Sequence, residues 1–292
     1  MRTISRSAAC LVLFSLAAAA SGPRVVLLGT GTPNPDPRRS GPAVAVVAEG
    51  RVYIVDCGPG VVRRAVEAGI VMRQLTRAFV THLHSDHTAG LPDLIFTPAV
   101  TGRLEPFEIY GPPGLRSMVS LVMKAWSEDM DVRLHGLEPS VPGAYDVRAH
   151  DVQPGEIYRD DAVRVTAIPV KHGTWRYAYG YRFDSGGKAI VISGDTTYCE
   201  ALAAAAKGCD ILVHEVYSAR GLARRTPDWQ RYHSAFHTSA EDLGRLAAEA
   251  RPHKLVLYHQ LPMGETPDEI MAEIRRRFTG EIVYGNDLDV IQ

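Results

Sequence analysis

Within seven residues, Thr81-His82-Leu83-His84-Ser85-Asp86-His87 sets three imidazoles and a carboxylate side by side. The run follows an apolar stretch ending at Val80 and precedes a helical pattern. Side chains at i and i+2 of an extended segment point the same way, so His82 and His84 can converge on one metal ion. As the chain turns into a helix, Asp86 and His87 can face a second. Imidazole with carboxylate suits zinc, with manganese or iron as alternatives. A metal ion lowers the pKa of water from about 15.7 to roughly 7, so the chemistry expected here is hydrolysis at neutral pH. Ligand imidazoles must be neutral, so activity should fall in acid.

Such a cluster needs a scaffold, and the rest of the chain alternates strand and helix patterns. Arg24–Gly29 reads as a buried strand, and Ala43–Ala48 and Val52–Asp56 as strands around the turn Glu49-Gly50-Arg51. Val61–Ala68 suggests a helix and Arg77–Thr81 a strand. His87–Phe96 and Gly114–Trp126 suggest helices, with residues 127–144 loop-like. Tyr145–Val152, Ala162–Val170, Tyr177–Asp184 and Lys188–Ser193 carry β-branched and aromatic residues and read as strands. Glu200–Ala206, Ser239–Ala250 and Pro267–Arg277 follow as helices, and Asp210–His214, Lys254–Tyr258 and Glu281–Tyr284 as strands. Sheet plus helices in both halves implies an α/β chain with two face-to-face sheets and helices outside.

Composition removes other classes. The 292 residues are 46% hydrophobic and 22% charged, too apolar and too neutral for a disordered chain. No apolar run reaches the roughly 18 residues of a membrane span. Arg2 and Arg6, the apolar run Ala8–Ala20 and the small residues before Ser21 read as a signal peptide over 1–20, which implies a periplasmic or secreted protein with a hydrolase domain at 21–292. Its removal takes two arginines and no acid, so the formal charge falls by two from −1. That balance argues against nucleic acid as a partner. Cys57, Cys199 and Cys209 remain, too few for a disulfide framework. Cys57 and Cys209 read as small buried residues. The sequence leaves open whether Cys199 and Cys209 pair.

The histidine motif, the opening Leu28-Gly29-Thr30-Gly31-Thr32-Pro33 and Asp56-Cys57-Gly58 together resemble the metallo-β-lactamase superfamily, in its ribonuclease Z and arylsulfatase-like branch. The resemblance covers nearly the whole chain beyond residue 20. It implies an αββα sandwich of two mixed β-sheets with the metals at the edge where the sheets meet. It also implies the remaining ligands: His172 with His82 and His84, His259 with Asp86 and His87, and Asp195 shared between two Zn2+ ions. Asp86 is thus both a ligand and a member of the catalytic set. Two further segments match that branch, though not at every position: His214-Glu215 and His237-Thr238-Ser239. They imply that His237 stabilises developing charge or protonates the leaving oxygen, oriented by Glu215.

These features lead to an expected secreted dinuclear zinc hydrolase of small phosphodiester or sulfate ester bonds. Two loops, Thr174–Tyr179, with Trp175, Tyr177 and Tyr179, and Arg220–His233, with Arg224, Arg225, Trp229 and Arg231, would wall in an aromatic, anionic substrate. Transfer-RNA 3′ processing by a ribonuclease Z-type enzyme is the alternative. The apparent export signal, the lack of basic charge and the absence of a long Gly-Pro-rich arm stand against it. A β-lactamase or lactonase is a further alternative, and Asp195 counts against an efficient β-lactamase. A non-catalytic metal-binding module would be expected to lack ligands, and all seven are present. His135, His150, His233 and His253 match no motif and read as surface or structural. A homo-oligomer is compatible with the sequence, which does not fix the substrate, the leaving group or the native metal.

Overall fold

The structure, a computed structural model, describes residues 22–292, so the signal peptide expected at 1–20 lies outside the described residues. The first half runs β1 (Arg24–Gly29), β2 (Ala43–Ala48), β3 (Arg51–Val55), α1 (Val61–Glu67), β4 (Arg77–Phe79), α2 (Ser85–Thr88), α3 (Leu91–Thr101), β5 (Phe107–Gly111), α4 (Leu115–Ala125), α5 (Ser127–His135) and β6 (Val147–Asp151). The second half runs β7 (Gly155–Arg159), β8 (Arg164–Pro169), β9 (Tyr179–Ser185), β10 (Lys188–Ile192), α6 (Glu200–Ala205), β11 (Ile211–Tyr217), α7 (Ala219–Leu222), α8 (Pro227–Phe236), α9 (Ala240–Ala250), β12 (Lys254–Leu261), α10 (Pro267–Arg275), β13 (Glu281–Tyr284) and β14 (Val290–Ile291). Two seven-stranded mixed sheets result, ordered β14-β1-β2-β3-β4-β5-β6 and β13-β12-β11-β10-β9-β8-β7.

Side-chain alternation explains the layering. In β1, Val25 and Leu27 face the second sheet, while Val26 and Leu28 face the helices of the first. Strand β2 is apolar at every position because both of its faces are covered. Between the sheets, Phe79 meets Phe183 edge-on at 5.4 Å and Tyr181 at 5.7 Å. A third apolar layer seats α6, α9 and α10 on the outer face of the second sheet.

Several local expectations change. The β2–β3 turn is only Glu49-Gly50, both at positive φ, and Arg51 already pairs with Ala48. The helix expected over His87–Phe96 is two helices divided near Gly90, where a Cβ would lie 2.4 Å from the Gly58 carbonyl oxygen. Residues 127–135 are helical, not loop. Helix α5 buries none of its residues and is tied by an Asp129–Arg133 ion pair of 3.0 Å, so no apolar period announced it. Arg220–His233 holds most of α7 and of α8 instead of a loop. Cys57, Cys199 and Cys209 are free and buried, so Cys199 and Cys209 are unbridged.

One buried cation ties the helices of the first half together. Pro98 lies inside α3 and has no N–H to offer the Leu94 carbonyl. The fully buried Arg103 donates to Leu94 O instead (3.1 Å), and to Ile95 O, Ala144 O and Leu75 O (2.6, 2.9 and 3.3 Å). Burial lowers its pKa to about 10, so the guanidinium stays charged at neutral pH. Replacing it by Met leaves these carbonyls unpaired in an apolar layer. Arg103→Met is expected to lose about 3 kcal/mol of unfolding free energy, read by urea denaturation.

Candidate metal centre and active site

The expected ligands gather at one edge of the sandwich. The motif leaves the carboxyl end of β4, and His172 and Asp195 lie beyond the carboxyl ends of β8 and β10. His259 lies inside β12, not after it, at a register shift against β11 and with φ of 44°. Carboxyl ends of parallel strands commonly face a binding crevice, because loops there are free to converge.

Three of the imidazoles, His82, His87 and His172, are held through Nδ1, which leaves Nε2 for the centre, whereas His259 Nδ1 is buried without a partner. His172 Nδ1 donates to the Phe236 carbonyl (2.7 Å). His87 Nδ1 donates to Asp56 Oδ2 (2.8 Å). His82 Nδ1 lies 3.0 Å from Thr81 Oγ1, whose hydroxyl donates to Asp56. The inner atoms then crowd together. His84 Nδ1 is 2.9 Å from His82 Nε2 and 3.1 Å from His172 Nε2. Asp86 Oδ2 is 3.2 Å from His259 Nε2 and 3.6 Å from His87 Nε2.

Asp195 lies between these two groups. Its Oδ2 is 3.9 Å from His82 Nε2 and 3.5 Å from both His87 Nε2 and His259 Nε2. Two glycines make this approach workable. Gly194, at φ 60°, packs so tightly that a Cβ would sit 2.7 Å from Tyr179 O and 2.9 Å from Thr81 Cβ. Gly173, at φ 52°, lies under the Phe236 ring, where a Cβ would be 2.2 Å from a ring carbon. Each neighbours a ligand, so a side chain at either would displace the ligand beside it.

The electrostatics suit cations. Burial lowers the pKa of His82, His84 and His172, the last to about 4, so these rings are neutral near pH 7. Burial opposes ionisation of Asp195, but the facing rings of His259 and His87 hold its carboxyl well below the usual range. The buried atoms His87 Nε2 and Asp195 Oδ1 have no partner within the protein. Ligand atoms of His82, His84, His172 and Asp195 lie within 4.8 Å of one another, as do those of Asp86, His87 and His259. Unpartnered buried donors of this kind fit divalent ions, and the nitrogen and oxygen set favours zinc.

His237 ends α8 with Nδ1 3.4 Å from Glu215 Oε2 and 3.8 Å from Asp195 Oδ2. It also lies within ligand reach of Asp195 and His259. The fully buried Glu215 is aimed by the amides of Thr238 (2.8 Å) and Thr196 (3.3 Å), both donating to Oε1. Burial disfavours the charged ring of His237, yet the Glu215 carboxylate overrides this and raises its pKa.

The centre opens into a cavity of roughly 790 Å3 lined by Arg39, Asp86, His259, Arg225, Trp229 and Tyr232, among others. Of the expected aromatic wall, Trp175 meets His84 edge-on at 4.9 Å, with Nε1 2.8 Å from His84 Nε2. Tyr179 is buried and donates to Val152 O (3.2 Å), so it packs the core. His233, read as structural or surface, lines the cavity. Asp56, which holds both Thr81 and His87, has a positioning role that sequence reasoning missed.

Comparison with known proteins agrees with this geometry. Residues 51–260 match the family model described as β-lactamase superfamily domain. Ribonuclease Z from Mycobacterium avium is 36% identical over 276 residues, 92% of this chain and 97% of that protein. Ribonuclease Z from Mycobacterium marinum is 33% identical, over 92% of this chain and 98% of that one. Among solved structures, the metallo-β-lactamase fold protein YhfI from Bacillus subtilis matches with a TM-score of 0.72 at 20% identity, over 93% and 100% of the two chains. Human tRNase Z, short form, matches with 0.69 at 23%, over 92% and 98%.

These relatives overturn two expectations. The secreted hydrolase of small aryl sulfates or phosphodiesters gives way, because relatives matched over nine-tenths of the chain are ribonuclease Z. The argument against a nucleic-acid partner falls with it. Formal charge averages over the whole surface, whereas Arg39 and Arg225 line the cavity itself. A metal-binding hydrolase of the metallo-β-lactamase fold stands.

Proposed function

The chain belongs to the β-lactamase superfamily, and from that premise we propose that it is a ribonuclease Z-type phosphodiesterase acting on RNA. The observation that carries this reading is the 36% identity to ribonuclease Z across 92% of the chain. The candidate ligand cluster and its neighbour His237 fit it.

In this reading His82, His84 and His172 would hold one zinc ion, and Asp86, His87 and His259 a second, with Asp195 serving both. Bound divalent ions supply Lewis-acid polarisation of phosphoryl oxygens and make water acidic enough to act near pH 7. The protein's own groups do the rest. Asp56 and Thr81 keep His87 and His82 in the tautomers that offer Nε2 inward. His237, whose charged form is favoured by the Glu215 carboxylate 3.4 Å away, would donate to the charge that develops on the scissile phosphodiester or its leaving oxygen. Trp175 packs against the outer side of His84 and keeps water from that side.

The test uses the full chain loaded with zinc and a structured RNA bearing a single-stranded 3′ extension. Endonucleolytic cleavage that a chelator abolishes and zinc restores is the expected result. Absence of cleavage, or cleavage indifferent to the chelator, would overturn the proposal.

A further inference from the structure

Helix α8 buries none of its ten residues, yet one of its faces is almost wholly aromatic. Trp229, Tyr232, His233 and Phe236 follow the i, i+3, i+4, i+7 spacing, so they share a stripe roughly 10 Å long. The rings are stacked along it. Trp229 lies over His233 at 5.5 Å and 26°, and Tyr232 over Phe236 at 4.5 Å and 23°. The inner end touches the metal centre, where Phe236 meets the His172 ring at 5.1 Å. The outer end is open: Trp229 is 55% and Tyr232 38% exposed, and both line the cavity with His233. His233 Nδ1 is buried there without a partner.

The arginines nearby sort by their partners. Arg220 and Arg224 are bound to Glu265 at 2.9 and 2.5 Å, and Arg231 to Asp228 at 2.6 Å. Arg225 lines the cavity beside the stripe. Exposed aromatic faces with a cation at their head, continuous with a phosphodiesterase centre, match the chemistry of a single nucleic-acid strand.

Resting on the reading above, we infer that α8 is a stacking platform for a nucleobase next to the scissile phosphodiester, with Arg225 holding a backbone phosphate. Trp229 is the outermost ring and would carry most of the stacking. Every base has a π-face, so the platform confers affinity for an unpaired strand and little preference among bases.

The experiment compares two RNAs with the same single-stranded 3′ extension. In one, the nucleotides flanking the cleavage site are abasic. The zinc-loaded wild-type protein should favour the base-bearing RNA by about tenfold in kcat/KM. Trp229→Ala should bring that preference close to unity, and Trp229→Phe should keep part of it. Residual cutting of abasic RNA by Trp229→Ala shows that the variant is folded. A wild-type protein without the preference, or a Trp229→Ala variant that keeps it in full, overturns the platform. Wild-type protein that cuts neither RNA overturns the ribonuclease reading, and the platform with it.

Discussion

Replacing Asp195 with Ala is expected to lower turnover by about 10²–10³-fold, the scale seen when a group that stabilises developing charge is lost. The geometry gives the reason. Asp195 Oδ2 lies within 4 Å of ring nitrogens from both candidate metal groups. Without it, both groups lose the anion they share, in surroundings too buried for solvent to replace the charge. Metal analysis should therefore show fewer ions per chain than in the wild-type protein. Asp195→Asn keeps the shape and removes the charge, so it should lose metal as well. Full metal content with more than a tenth of wild-type turnover would show that Asp195 bridges nothing.

For His237→Ala, turnover is expected to fall by about 10²–10⁴-fold while metal content and KM stay near wild type. The structure offers His237 two roles, since it is within reach of Asp195 and His259 as well as Glu215. The Glu215 carboxylate raises its pKa against burial, which favours the donor role over the ligand role. Metal content discriminates between the roles. Loss of an ion in His237→Ala would make it a ligand, and unchanged turnover would make it a structural residue at the end of α8. Glu215→Gln should reproduce part of the turnover loss, because the amide leaves the Thr196 and Thr238 hydrogen bonds in place but removes the charge facing the ring.

How much of this was legible in the sequence depends on how local the signal is. His82, His84, Asp86 and His87 could be read from spacing alone, because an extended segment entering a helix aims them by geometry. The sheets could be read from runs such as Ala43–Ala48, where burial on both faces leaves no polar position. His172, Asp195 and His259 are lone polar residues at separate strands, and only family resemblance joined them to the motif. Asp56 belongs to the Asp56-Cys57-Gly58 match, but its positioning role exists only once β3 and β4 lie side by side. Helix α8 did have one. Thr226-Pro227 opens it, and its aromatics recur at helical spacing, but charged residues between them made it read as a loop. The export-like first segment, the whole-chain charge and the missing Gly-Pro-rich arm all point away from RNA, whereas the substrate meets only the residues that line one cavity.

The candidate ligands are drawn from both sheets. His82 to His87 follow β4 of one, while His172, Asp195 and His259 belong to the other. No half of the chain can assemble the cluster alone. Any ion that binds there binds the docked sandwich and not its separated halves, so mass action adds its binding free energy to that of folding. At a free ion concentration a thousandfold above Kd this amounts to about 4 kcal/mol. Heat tolerance of the protein should then follow metal supply, and a cell short of zinc would hold less of the folded enzyme, not merely a less active one.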